Sequence, residues 1–312
     1  MWILVLVMIL GSPTVESARC RALAVGGGTD LGAYEAGAII GLIEGLPSGE
    51  AQWDIITGVG VGATSALIVS MYPKGQESAA ASKLNSFWSA FTYEDFYQDW
   101  TGWYVTGLLI KSGLYDSSPY KKTLADLQTG AFQRVLGVGS VDLVSASYVY
   151  FQSTQQTTSA MATGIYASTS DYGLFPIVNY NKYQLLGGSI LYSADLIHAV
   201  QYCTSKGATN SEISIDVVLG AGKTITPVDA SKYNSLQSLM RYFQITSYNN
   251  VMQVINNAKH DYQGINVRSI IYPSQSVSGA LYPYDYTPAQ IQQQINLGIQ
   301  DGKKQAVSVS DI

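Results

Sequence analysis

Charge is what this sequence has least of. Only 12% of its 312 residues are charged while 47% are hydrophobic, against a usual charged share of about 25%. That balance excludes a disordered tail or a coiled coil and predicts a chain folded around a large core. With 17 Lys and Arg against 22 Asp and Glu, the formal net charge is -5. No segment gathers the basic residues into a stripe, so nucleic acid is excluded as a partner. Phenylalanine is scarce, 7 against 23 tyrosines, which implies many half-buried surfaces with polar tips and no particular chemistry. There is no Asn-x-Ser/Thr sequon, so glycosylation bears neither way on secretion.

No apolar run is long enough for a membrane-spanning helix. Residues 2–10, WILVLVMIL, are unbroken but only nine long, and spanning takes roughly 20. Followed by Gly11, Pro13 and the small residues Ser17 and Ala18, this stretch resembles a cleavable signal peptide over residues 1–17. It predicts a secreted protein or one of the endomembrane lumen, the competing reading being a first buried strand. Two cysteines then remain, Cys20 and Cys203, compatible with one disulfide in an oxidising compartment or with two buried thiols.

From Cys20 onward the chain alternates. An apolar run to Val25 ends in Gly26-Gly27-Gly28, and Ile39, Leu42, Ile43 and Leu46 come next at helical spacing. Trp53 to Thr57 is a second apolar run, closed by the glycine-studded stretch Gly58 to Gly62 and by a candidate helix, Ala63 to Met71. Further strands are expected at Val141 to Phe151, Ala162 to Ala167, Tyr183 to Leu186 and Ile213 to Leu219. Ser118 and Pro119 supply an N-cap and an N1 proline for another helix. Leu236, Leu239, Met240 and Phe243 mark a helix, as do Ile291 and Ile295. Such alternation predicts a mainly parallel sheet covered by helices. No linker, repeat or charge block divides residues 18–312, which are read as one domain.

Two glycine loops are the places for chemistry. The first, Gly26-Gly27-Gly28-Thr29-Asp30-Leu31-Gly32, lies after a strand and opens a helix, but its glycines miss the register of a dinucleotide fingerprint. Its amides at a helix N-terminus suit an anion, including an acyl-transfer oxyanion; equally, the glycines let a helix pack closely on a strand. The second loop, within Asp54-Ile55-Ile56-Thr57-Gly58-Val59-Gly60-Val61-Gly62-Ala63, resembles the nucleophile elbow of the patatin-like phospholipases, which reads D-x-I-x-G-x-S-x-G-A. In that family a serine is lifted out of the sheet on a sharp strand-to-helix turn, relieved by the flanking glycines, here Gly58 and Gly62. The serine position is Gly60.

Two more stretches carry the resemblance. The segment Gly26-Gly27-Gly28-Thr29 and its continuation to Gly32 resemble the family's oxyanion loop, with one extra residue before Gly32 and Leu31 where Arg or Lys is usual. Ala167-Ser168-Thr169-Ser170-Asp171-Tyr172-Gly173-Leu174-Phe175-Pro176 resembles the segment preceding the family's catalytic aspartate, with Tyr172 in place of proline. That aspartate opens a D-G-[AG] turn after a short strand, and the corresponding residue is Gly187. The resemblance covers roughly residues 20–220, leaving 221–312 as an expected helical extension.

The family implies a three-layer α/β/α fold with a mainly parallel central sheet and lipid acyl hydrolysis by a Ser-Asp dyad without metal or cofactor, and both dyad positions are glycine. Ser65, one and a half turns into the helix, is carried away from the turn tip, and Ser189 lies past Gly187 without an evident activating partner. His198 is expected to be a packing or surface residue; by the family's logic neither it nor His260 acts as a base. The resemblance therefore implies an inactive pseudoenzyme. It would hold lipid in an acyl pocket with Leu174, Phe175 and Ile190 as candidate walls, touch a membrane surface, or serve as a structural part of a protein assembly. The alternative is an active lipid acyl hydrolase of phospholipase A type, should the register differ or the glycines be engineered.

Overall fold

The computed structural model describes residues 19–27, 30–225, 227–275, 277 and 285–310; the expected leader lies outside them. Two strand-glycine-helix units open the fold: β1 (Cys20–Val25) with α1 (Gly32–Gly45), and β2 (Ile55–Val59) with α2 (Gly62–Ser70). The strands are parallel, Leu23 level with Ile56. They bury both faces: Leu23, Val25 and Ile56 enter one apolar cluster, while Cys20, Ala22, Ala24 and Ile55 enter another on the opposite side. Such two-sided burial explains why they read as continuous apolar runs rather than alternating ones.

The chain continues through α3 (Glu77–Ala90), α4 (Trp103–Leu109), α5 (Ser118–Leu127), β3 (Val135–Asp142), β4 (Ser147–Gln152), α6 (Thr158–Ser168), β5 (Val178–Tyr180) and β6 (Tyr183–Gly187). It then adds α7 (Leu196–Ser205), β7 (Ile213–Val218), α8 (Ser235–Asp261), β8 (Asn266–Ile271) and α9 (Pro288–Ser310). The sheet order is β5-β6-β3-β2-β1-β7-β8, with β4 also on β3. The five strands β3, β2, β1, β7 and β8 run parallel, and β4 and β6 run antiparallel to β3.

Several expectations need correction. Val141 to Phe151 is not one strand but the end of β3, a turn with Ala146 at φ 56°, and most of β4. Ala162 to Ala167 is helical within α6, whose N-cap Thr157 accepts the amide of Ala160 at 3.2 Å; a short buried apolar run does not distinguish helix from strand. The N-cap of α5 is Ser117, one residue earlier than expected, with the proline in the first turn. Residues 221–312 are more than a helical extension, because β8 pairs with β7 in the sheet. The helix α9 packs so closely on α1 that side chains at Gly37, Gly41, Gly298 or Gly302 would strike the facing backbone.

A polar network secures β7 and β8 to the rest. Asp216, 1% exposed, accepts from Trp53 Nε1 at 2.8 Å, Ser269 Oγ at 2.6 Å and Arg268 Nε at 2.9 Å. Arg268 also reaches Glu50 at 2.7 Å. Cys20 and Cys203 form a disulfide with Cα atoms 5.6 Å apart, joining β1 to α7 across 183 residues.

Candidate functional site

The site grows from the pairing of β3. One edge of this strand carries β4 along residues 137–142, so its other edge must serve both β2, paired at 135–139, and β6, paired at 140–142. The two share that edge head-on. Val59 is level with Gly139, and Gly187 with the next residue, Ser140. Gly60 comes directly after Val59 and has φ +56°, a left-handed conformation that L side chains seldom adopt. It forms the tip of a strand-to-helix turn, with α2 beginning at Gly62. A side chain at Gly62 would collide with the carbonyl of Gly26, and a Cβ at Gly58 would lie 2.5 Å from Ala63 Cα. These elbow glycines are therefore required by the close approach of α2 to the strand ends.

Ser168 holds the two strand ends together. Fully buried, it accepts a 2.9 Å hydrogen bond from the amide of Gly60 and donates one of 2.6 Å to the carbonyl of Gly139. Its own carbonyl lies 3.3 Å from where a Gly187 Cβ would stand. The next residues frame Gly187 as well: its amide donates to Ser170 O at 2.8 Å, and Tyr172 donates its hydroxyl to Gly187 O at 2.8 Å. Tyr172, a departure from the family's proline, thus contributes a bond proline cannot make. Asp171 Oδ1 lies 3.6 Å from the Cβ position of Gly187. Burial, and then the charge of Asp30, push the Asp171 carboxyl up to about 7.

The first glycine loop gives a mixed picture. The amides of Gly26 and Gly27 are already spent on Val218 O at 2.7 Å and Ser193 O at 3.0 Å, so neither N–H faces an oxyanion as expected. Gly28 and Thr29 lie outside the described residues. The close-packing alternative accounts for the other two, since a Cβ on Gly27 would stand 2.9 Å from the Cβ of Ser189. Because Gly27 Cα lies 2.9 Å from the Cβ position of Gly60, this contact brings Ser189 beside the elbow. Ser65 is buried on α2 and accepts from Trp88 Nε1 at 3.0 Å.

The three candidate pocket walls do not come together. Phe175 is fully buried, its ring 4.8 Å from that of Phe96 and 5.8 Å from that of Tyr97, and Leu174 is buried in the same cluster. Ile190 is 40% exposed at the surface. A phenylalanine in a polar loop has no sequence signal that separates core from cavity wall.

Sequence reasoning missed a cluster on the α7 side of the sheet. Asp195 caps α7 through the amide of His198 at 3.0 Å. Its carboxylate also meets His198 Nδ1 at 2.9 Å and accepts from Tyr148 at 3.0 Å. The His198 ring stacks on Tyr150 at 3.9 Å. Burial first, then the charge of Asp195, raises the Tyr148 hydroxyl well above its ordinary range. The Asp-x-x-His spacing at a helix start was the signal available for it. His198 is thus half-buried between Asp195 and Tyr150, and His260 is exposed.

No curated protein matches the chain closely enough to serve as a relative. Among solved structures it is similar to the crystal structure of VipD from Legionella pneumophila, at 12% identity over 94% of this chain and 67% of that one, with a TM-score of 0.47. The family model described as patatin-like phospholipase matches residues 23–200. That span contains the elbow at Gly60, the Ser168 bridge and the turn at Gly187, and over it the chain belongs to the patatin-like phospholipase family.

Proposed function

We propose that this chain is a patatin-like domain without hydrolytic activity that holds or transfers a lipid. The observation that carries the reading is the identity of Gly60 at the tip of the elbow. An acyl hydrolase of this family needs a hydroxyl there and a carboxylate at the position of Gly187, and this chain has neither. Loss of the nucleophile in a comparable serine site costs on the order of 10⁶ in rate, and the remaining oxyanion donors and binding contacts retain only about 10³ to 10⁴ over water. Ser65 is buried and already bonded to Trp88. The disulfide between Cys20 and Cys203 supports a secreted or lumenal location.

The rival reading, an active acyl hydrolase, draws on Ser189 and Asp171, both brought to the elbow. Among the described residues, however, the Ser189 hydroxyl makes no hydrogen bond to a carboxylate, so nothing activates it. The deciding experiment is turnover of a short-chain ester and of phosphatidylcholine by the purified full chain, with extraction of any lipid it carries. The expected result is no turnover above a buffer blank, with lipid recovered. Turnover that disappears in Ser189→Ala or Ser65→Ala defeats the proposal. A stable protein complex without lipid favours a structural role.

A further inference from the structure

Two exposed apolar elements stand at the edge of the sheet where Gly60 lies, and nothing among the described residues covers them. The first is α4 with its C-terminal continuation. Trp103, Val105 and Leu108 are each more than 60% exposed, and Leu109 and Ile110 reach 80% and 74%. The segment just C-terminal to it fixes its position. Leu114 and Tyr115 donate their amides to Gly173 and Leu174, and Ser112 accepts the amide of Ile177. This is the loop whose Tyr172 and Ser170 frame Gly187.

The second element is the first half of α8. As the crossover between the parallel strands β7 and β8, α8 starts at the carboxyl edge of the sheet. Its 27 residues are about 40 Å long, while the six residues of β8 span only about 20 Å. The helix therefore overhangs. Asn250 Nδ2 reaches the carbonyls of Ser189 and Ile190 at 3.4 and 3.3 Å, marking where α8 passes the turn after Gly187. The 15 residues before it run on for roughly 22 Å, and there Leu239, Tyr242 and Ile245 are 44–62% exposed. Ile190 and Leu191, in the turn after Gly187 that Asn250 of α8 reaches, are 40% and 45% exposed.

Charge indicates what these elements meet. In a chain of net charge -5, residues 100–111, 188–192 and 235–250 contain no Asp or Glu, and their two charges are Lys111 and Arg241. Lys111 Nζ lies 4.8 Å from the ring of Trp100, an aromatic and a cation side by side as at a headgroup boundary. The segment after α4 joins one apolar cluster through Leu114 and Tyr115, while α8 joins the opposite one through Val251 and Ala258, so a flat, fluid surface touches both without needing a matching shape. Among the described residues no helix is long and apolar enough to cross a membrane. We infer that this edge docks on the surface of a lipid bilayer, with α4 and the overhang of α8 in the headgroup region and the Gly60–Gly187 site facing the membrane.

The choice of occupant rests on the proposed lipid-holding function, and the two are tested by separate readouts. Flotation of the full chain with vesicles of phosphatidylcholine, and of phosphatidylcholine mixed with phosphatidylserine, measures docking. The expected result is flotation with both. Leu109→Asp with Ile110→Asp, or Leu239→Asp with Tyr242→Asp, should each weaken binding about tenfold or more, since a buried leucine is exchanged for a charge. These side chains are already exposed, so an unchanged melting temperature confirms that each variant is folded. Failure of the unmodified chain to float on either vesicle overturns the inference. So do variants that float as well as the parent, or a solution dimer that the same substitutions split, which would make a second copy the occupant. A chain that floats but carries no extractable lipid defeats the lipid-holding reading and leaves docking intact; one that carries lipid yet never floats does the reverse.

Discussion

Gly60 and Gly187 end two strands that meet head-on along one edge of β3, joined through Ser168, which accepts the amide of the first and presents its carbonyl to the Cβ position of the second. The relationship makes the two glycines a unit and sets what restoring their side chains will do. Gly60→Ser places a Cβ 2.9 Å from Gly27 Cα at φ +56°, at a cost of about 1–2 kcal/mol. Each single restoration, Gly60→Ser or Gly187→Asp, should remain silent in an esterase assay. The pair together should gain about 10²-fold over either single variant, the least that a positioned base contributes. Equal activity in a single variant and in the pair would separate the two positions functionally.

The neighbour of Gly187 sets a pH dependence. The Asp171 carboxyl rises on folding from an ordinary 3.8 to about 7, through burial and then the charge of Asp30. A carboxyl raised in the folded state favours the protonated form, so its contribution is intact below about pH 4 and is lost as pH climbs towards 7. Asp171→Asn should therefore stabilise the protein at pH 8 by about 1–3 kcal/mol and have little effect at pH 4. Thermal unfolding at the two pH values checks the sign. A larger gain at pH 4 would contradict it.

Gly187→Asp carries the same electrostatics further, because its Cβ would stand 3.6 Å from Asp171 Oδ1. Two carboxylates sharing one site repel. The variant should lose more stability at pH 8 than at pH 5, and adding Asp171→Asn should remove that difference. Denaturant midpoints for the single and double variants decide it.

Ser168→Ala should cost about 1–3 kcal/mol, since it leaves the Gly60 amide and the Gly139 carbonyl without their buried partner. Chemical denaturation measures the loss, and slower hydrogen exchange at the Gly60 amide in the variant would count against the bridge.

At the other end of the sheet, Arg268→Ala should destabilise by about 3–5 kcal/mol by stranding the Asp216 carboxylate. Replacing Arg268 and Asp216 together by apolar residues should cost less than the single change. Equal losses would mean that the pair contributes through packing alone.

Local sequence determined the two opening strand-glycine-helix units, because their apolar runs, glycines and helical periodicity are short-range signals that the tertiary structure had no reason to override. It equally determined the chemical identity of positions 60 and 187, and with it the motif order by which the family is recognised. It did not determine which glycines serve a ligand and which serve packing, for a glycine looks the same in either role. Only the fold shows that the Gly26 and Gly27 amides are spent on Val218 and Ser193. Nor does sequence separate a buried wall from a core residue, and Phe175 is seen to belong to the core only once Phe96 and Tyr97 surround it. The run from Ala162 to Ala167 and the strand β8 were decided the same way, by partners distant in the chain. The head-on meeting of β2 and β6 is a property of β3, a strand whose two edges must accommodate three neighbours, and no stretch of sequence encodes that constraint by itself.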